Sequence, residues 1–415
     1  MKKRGIRGPR SALTDFIKEN KIQTSRKSVK IENTDNESKI VAEIDSKIIN
    51  ETPKRKKTIK YDKPVEIVNR RSEKNGLKTK ILKKIHENYE NYKMNDNQLL
   101  LFSCYLSKIR EVDQNIFDFL VNNFKEKLQI FDCSKIKKFE INKKSLKEIE
   151  LRLCGQMNEI EINSIFKNKP KLESIKITGA FLIENFKFPK KIKVLDVSNC
   201  SRLEDSFLNF NNELDYLNIS FCYNFTSNIK LKKHCSEIIA EETLICDNFF
   251  DNIKKEKLKS LNINRCPNIS DNFDLVQFKN LELLEVEGIS TINLENISKK
   301  MKKLNINSCF GINDLNFLKD LKDLEILNLS NLNLKINEIK KVLELKNLKE
   351  IDLSWIPTVN NEIIIEICEK LPFIEKIYVF GCFELTEKIG RYSWKICNKI
   401  DIIGNPSETK YLLNT

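Results

Sequence analysis

An α/β solenoid with short parallel strands on its concave face is predicted by three observations. A short apolar phrase recurs, its period is nearly constant, and cysteine keeps one place within it. The phrase is an apolar residue, two spacers, an apolar residue, one spacer, an apolar residue, two spacers and a final small residue. It occurs eleven times, as in Leu146-Ile149-Leu151-Cys154, Ile192-Leu195-Val197-Cys200 and Leu214-Leu217-Ile219-Cys222. Leu128-Ile130-Cys133 opens the series in shortened form, and Leu172-Ile175-Ile177-Ala180 ends on alanine. Most phrases begin 18 to 26 residues apart, the period of leucine-rich repeats. The one gap of 44 residues is two periods, which places a degenerate repeat near Ile238 to Cys246. The two apolar residues separated by one spacer point to one side of a strand. The rest of each unit returns as a helix or irregular turn, and stacking buries the apolar side that a single unit leaves open. The expected fold is therefore a leucine-rich-repeat solenoid of the cysteine-containing type.

Residues 1–75 read as a disordered basic tail. Residues 1–80 hold 23 Lys and Arg against 11 Asp and Glu, which is +12 of the chain's +14. Phe16 and Tyr61 are the tail's aromatics, so it has little apolar surface to offset the entropy of ordering. A basic tail attracts polyanions by counterion release, which names DNA or chromatin as a partner, and Lys2, Lys3, Arg4, Arg7 and Arg10 are the candidate contacts. A solvated linker is the alternative. Lys54, Arg55, Lys56 and Lys57 follow Pro53 in the manner of a one-part nuclear import signal, so the nucleus is the expected compartment.

Residues 76–125 read as helical. Leu77, Ile81 and Ile85 recur every four residues, and Leu99, Phe102, Leu106, Ile116, Phe117 and Leu120 continue an amphipathic pattern. The segment is a cap over the first repeat or a partner-binding element. Residues 126–404 form the solenoid, and 405–415 a C-terminal tail. On the solenoid's concave face the expected row is Asp196 and Ser198, Asn218 and Ser220, Asn262 and Asn264, Glu285 and Glu287, Asn305 and Asn307, Asn328 and Ser330, then Asp352 and Ser354. This is a polar, mildly acidic ladder, better suited to protein than to phosphate. Tyr378 and Phe380 should project there, with Trp355 just past the preceding strand. They either anchor a partner or pack beneath the C-terminal end.

Catalysis has little to stand on. The chain has two histidines, His86 and His234, with no nucleophile–acid arrangement around either. None of its 10 glycines forms a phosphate-binding loop, and none of its 12 cysteines stands in a C-x-x-C pair. Cys133, Cys154, Cys200, Cys222, Cys266, Cys309 and Cys382 are expected as buried thiols in a reducing compartment. No apolar run reaches the ~20 residues of a membrane span. We expect no enzyme, no cofactor, no metal and no membrane partner.

The stretch Arg7-Gly8-Pro9-Arg10-Ser11-Ala12-Leu13-Thr14-Asp15-Phe16-Ile17-Lys18-Glu19 resembles the opening of the yeast-type radiation-sensitivity-seven family. Asp132-Cys133-Ser134-Lys135-Ile136 and Leu153-Cys154-Gly155-Gln156-Met157-Asn158 resemble its first two repeats. Val379-Phe380-Gly381, Leu385-Thr386-Glu387-Lys388 and Ile402-Ile403-Gly404 resemble its C-terminal close. The resemblance implies a non-catalytic leucine-rich-repeat protein of global-genome nucleotide excision repair. It implies partnership with a helicase-like ATPase that bears a RING finger, and a role at damage in silent chromatin. It also implies a cullin ubiquitin ligase joined through elongin C. The family's elongin-binding helix has leucine, cysteine and an aliphatic at steps of four. The matching positions are Leu77, Ile81 and Ile85, with isoleucine in the cysteine's place. The alternative reading is an F-box-like substrate receptor of an Skp-type ligase. Its adaptor module opens on Leu-Pro and later carries Trp, and residues 81–125 contain neither Pro nor Trp.

Overall fold

The computed structural model describes residues 73–404, apart from 168, 188, 190, 205–213, 226–233, 252, 291, 387–388 and 390–399. The described chain begins with three helices. Helix α1 spans Glu73–Glu87, α2 spans Asp96–Ile109 and α3 spans Gln114–Asn123. Local chemistry starts the last two. Asn95 accepts from the Gln98 N–H while the Gln98 side chain accepts from the Asn95 N–H, a capping box. Asp113 accepts from the Ile116 N–H. The inner faces of α2 and α3 bury Leu99, Phe102, Leu106, Ile116, Phe117 and Leu120. Both helices pack against the first strand, and α1 packs against α2.

Strands β1 (Lys127–Ile130), β2 (Glu148–Leu151), β3 (Ser174–Ile177), β4 (Val194–Asp196) and β5 (Tyr216–Asn218) follow. Next come β6 (Glu237–Ile239), β7 (Ser260–Asn262), β8 (Leu283–Glu285) and β9 (Lys303–Asn305). The series closes with β10 (Ile326–Asn328), β11 (Glu350–Asp352), β12 (Lys376–Tyr378) and β13 (Asp401–Ile403). These thirteen strands form one sheet in sequence order, each parallel to the next. The return segments are mostly turns and single 3₁₀ turns. Helices replace them at α4 (Glu159–Phe166), the short α5 (Ile336–Ile339) and α6 (Asn361–Lys370).

Two strands lie beyond the eleven phrases. Strand β6 is the degenerate repeat, with Cys235 and Ala240 at places where other repeats carry larger apolar residues, and Ile238 still aligned with Leu217 and Leu261. Strand β13 aligns Ile402 with Ile377 and forms the last rung. The core lies between the sheet and the return segments. The central strand residues, from Leu128 through Leu217 and Leu304 to Ile377, are all fully buried, so every unit borrows a wall from its neighbours.

Candidate functional site

Strands β2 to β12 end in the same turn. The residue before the cysteine place adopts left-handed backbone in repeat after repeat, at Leu153, Asn199, Phe221, Glu242, Arg265, Ser308, Asn331 and Trp355, with φ from +52° to +62°. Such a conformation costs a side chain roughly 1–2 kcal/mol. A hydrogen bond to the next repeat holds it, as from the Asn199 N–H to Ser220 O (2.8 Å) and from the Trp355 N–H to Phe380 O (2.7 Å). The sheet ladder thereby runs past the end of the strands.

The outer row is built differently from the sequence expectation. Asp196, Asn218, Asn262, Asn305, Asn328 and Asp352 each accept, through a side-chain oxygen, from the backbone N–H two residues on. Those oxygens fold the turn. The second members Ser198, Ser220, Asn264, Ser330 and Ser354 are buried, as is Asn305. The expected open polar ladder is thus reduced to the half-buried first members, because turn formation consumes much of its hydrogen-bonding capacity. Acidity collects in the middle of the sheet. Arg265 bridges Glu242 (3.0 Å) and Glu287 (2.5 Å). Burial and the neighbouring carboxylates Glu242, Glu285 and Glu287 raise the Glu241 carboxyl above its ordinary range, against the pull of Arg265.

Exposed aromatics gather at the trailing edge, where the chain leaves the strands. Trp355 is 57% exposed and Phe380 45%, while Tyr378 is half-buried. The Trp355 ring lies over Gly381, where an added Cβ would stand 2.3 Å from Trp355 Cε3. Gly381 has φ +67°, so both conformation and space reserve that site for glycine. The Phe380 ring lies over Gly404 in the same way. The turns after β11 and β12 therefore each hold one flat ring on a glycine of the next repeat. Sequence reasoning missed four neighbours at the place following the cysteine. They are Phe181, Tyr223, Phe310 at 65% exposure and Phe383 at 82%. The signal was the repeated pairing of the small residue with an aromatic, as in Cys309-Phe310 and Cys382-Phe383.

The cysteines at the repeat's last place are buried free thiols. Several also donate to the preceding repeat's backbone: Cys222 Sγ to Val197 O (3.1 Å), Cys266 Sγ to Ala240 O (3.0 Å), Cys309 Sγ to Val286 O (3.1 Å) and Cys382 Sγ to Leu353 O (3.2 Å). In the degenerate repeat Thr243 takes the place, its hydroxyl donating to Ala240 O (2.7 Å). Among the described residues no three His, Cys, Asp or Glu side chains converge to hold a metal ion, and no helix is long and apolar enough to cross a membrane.

On α1, Ile85 is buried at 8% exposure and Ile81 is half-buried against the same core. The face assigned to an adaptor from sequence is, at these two positions, the face that holds α1 to the cap. The side chain of Leu77 lies outside the described residues, as do Lys2, Lys3, Arg4, Arg7, Arg10, Lys54, Arg55, Lys56 and Lys57. His86 stands beside Phe102 (6.5 Å between ring centroids), and His234 Nε2 is 3.9 Å from Asp215.

These features define a leucine-rich-repeat solenoid of the cysteine-containing type with an N-terminal helical cap. No protein-family model matches the chain. It is similar to the DNA repair protein RAD7 of Saccharomyces cerevisiae, with 24% identity over 332 residues. The match takes in 68% of this chain, which spans 59% of the yeast protein's length. That relative carries the name of the family the N-terminal peptide and flanking repeats resemble. A solved structure of a Rad7 and Elc1 complex in yeast superposes with a TM-score of 0.56 at 20% identity, covering 91% of this chain and 100% of the other. At that identity the likeness establishes the fold.

Proposed function

We propose that this chain is a non-catalytic scaffold of nucleotide excision repair, acting in the nucleus. The observation that carries the reading is the likeness to DNA repair protein RAD7 across 332 residues. In this reading the basic tail contacts DNA or chromatin, and Lys54, Arg55, Lys56 and Lys57 direct nuclear import. The solenoid holds a helicase-like ATPase with a RING finger. The exposed rings of Trp355 and Phe380, with Tyr378 beside them, support a protein partner at the trailing edge, since aromatic anchors dominate such interfaces. The yeast complex of Rad7 with Elc1, an elongin C, supports a like partner here and a place in a cullin ubiquitin ligase. Leu77 is the proposed contact on α1, while Ile81 and Ile85 secure the helix to the cap. The chain contributes binding surfaces, and chemistry belongs to its partners.

The test is genetic. Cells lacking this chain should survive ultraviolet light poorly and should clear photoproducts slowly from silent DNA. The full chain should restore both. Wild-type survival and clearance in the deletion strain would remove the repair role.

A further inference from the structure

Charge is sorted across the solenoid in a way the net charge hides. The residues leading into the strands form two rows. The inner row, one residue before each strand, alternates in sign through Glu126, Lys147, Glu173 and Lys193, and again through Glu282, Lys302, Glu325 and Lys349. Backbone hydrogen bonds join its successive members, so the row is continuous. Four of its lysines, Lys147, Lys193, Lys302 and Lys349, are neutralised by ion pairs such as Lys147–Glu126 (2.8 Å) and Lys302–Glu282 (2.6 Å), while Lys259 before β7 has none among the described residues.

The outer row, two or three residues further out, is different, although Lys299 and Lys322 within it pair with Asp320 and Glu344. Lys144, Lys171, Lys191, Lys257, Lys279 and Lys300 are exposed, and none has an ion-pair partner among the described residues. Lys300 donates to a neutral acceptor, Asn280 Oδ1. Glu256 and Asp323 are the row's carboxylates among the described residues. At the opposite edge no repeat carries lysine or arginine at the place after the cysteine.

We propose that this lysine row is a second DNA-contacting surface, one that engages the phosphate backbone of duplex DNA. The proposal rests on the DNA role assigned above and extends it to the folded part of the chain. The row from Lys144 before β2 to Lys300 before β9 crosses seven strand steps. At ~4.8 Å per strand that is about 34 Å, close to one turn of duplex, about 34 Å. A line of separate ammonium groups suits a linear polyanion, whose affinity grows with each counterion released. A membrane would call for a broad face with apolar insertion. Single-stranded DNA would call for stacking rings along the row, and these six positions are all lysine. Contact through ammonium groups alone is sequence-independent.

The experiment measures binding of the full chain to a 30-base-pair duplex by fluorescence anisotropy across a salt series, about 50 to 300 mM. The edge variant carries Lys144→Gln, Lys171→Gln, Lys191→Gln, Lys257→Gln, Lys279→Gln and Lys300→Gln. The tail variant carries Lys2→Gln, Lys3→Gln, Arg4→Gln, Arg7→Gln and Arg10→Gln. The edge variant should bind at least about tenfold more weakly at ~100 mM salt, with the slope of log K against log salt reduced by about 1 for each engaged lysine. Should the sextuple variant lose its circular-dichroism melting transition, two triple variants replace it, each expected to weaken binding about threefold. An unchanged edge variant beside a weakened tail variant overturns this inference and leaves the tail reading standing. A weakened edge variant beside an unchanged tail variant supports it and removes the tail. Wild-type chain that ignores duplex DNA at 50 mM salt overturns both. Tighter binding to phosphatidylserine vesicles or to poly-glutamate than to the duplex, lost in the edge variant, assigns the row to another polyanion and overturns it.

Discussion

At the cysteine place, burial and a directed hydrogen bond act on one atom. A methyl of alanine or valine fills similar space, but only a thiol or hydroxyl can also donate to the carbonyl left at the end of the preceding strand. Threonine at 243 donates instead to Ala240 O of its own repeat, the carbonyl that Cys266 reaches from the next one, so the place favours a donor of either kind. Burial pushes the Cys200 and Cys309 thiols up to about 12. These groups are inert to alkylation in the folded chain and carry a pH signature. An unfolded thiol ionises near ~8.5. Above that pH the unfolded chain has lost a proton that the folded chain keeps, so stability declines as pH rises, until the folded pKa is reached. The double variant Cys200→Ala, Cys309→Ala should be less stable than the wild type at pH 7.5 by urea denaturation, and that gap should narrow by pH ~10.5. Parallel pH curves for the two chains would show that these thiols are not protected by burial.

At the scale of the element, a strand of three residues needs help to keep its register. The help comes from outside the strand at both ends. The trailing turn adds a rung through the left-handed residue, and the leading residue adds an alternating charge. Lys349 and Glu325, 2.6 Å apart and 44% and 41% exposed, stand for the leading row. Half-exposed pairs of this kind are worth about 0.3–1 kcal/mol. A double-mutant cycle of Lys349→Met and Glu325→Gln should give a coupling in that range at low salt, shrinking as salt rises. No coupling at low salt would leave register to the apolar residues alone. The strands were legible from sequence because their buried residues obey a period of two within a fixed repeat. Strand β6 was placed from the length of the gap alone. Strand β13 was seen only as a family-like ending, since Ile402 stands without the rest of the phrase. The left-handed turn was hidden because Leu153, Glu242, Arg265 and Trp355 share no side-chain chemistry, and glycine marks the same place in only a few repeats. The outer row was misjudged for a related reason. Sequence gives the side of the sheet for Asn218 or Asp352, but whether the side-chain oxygen meets a partner or its own backbone is a property of the turn.

For the whole molecule, three surfaces follow from one repeat. The turn that ends each strand puts aromatics on the trailing edge. The segment that leads into each strand puts lysines on the other. The helical cap closes the first repeat and offers α1 beyond it. None of these is a cleft with converging ionisable groups, and all suit docking. The aromatic site was partly legible. Strand alternation put Tyr378 and Phe380 on the outer side, with Trp355 just past the preceding strand, whereas the exposure of Phe310 and Phe383 depends on the loop conformation. Because α1 spends Ile85 on the cap, its register against a partner was beyond reach of periodicity. The central claim is that this solenoid is a docking wall for a repair ATPase. The most direct measurement is affinity purification of the full tagged chain from ultraviolet-treated cells, read by mass spectrometry beside the variant Trp355→Ala, Tyr378→Ala. A helicase-like ATPase and elongin C should accompany the wild type, and the ATPase alone should be lost with the variant. An Skp-type adaptor or a phosphatase in their place would contradict it.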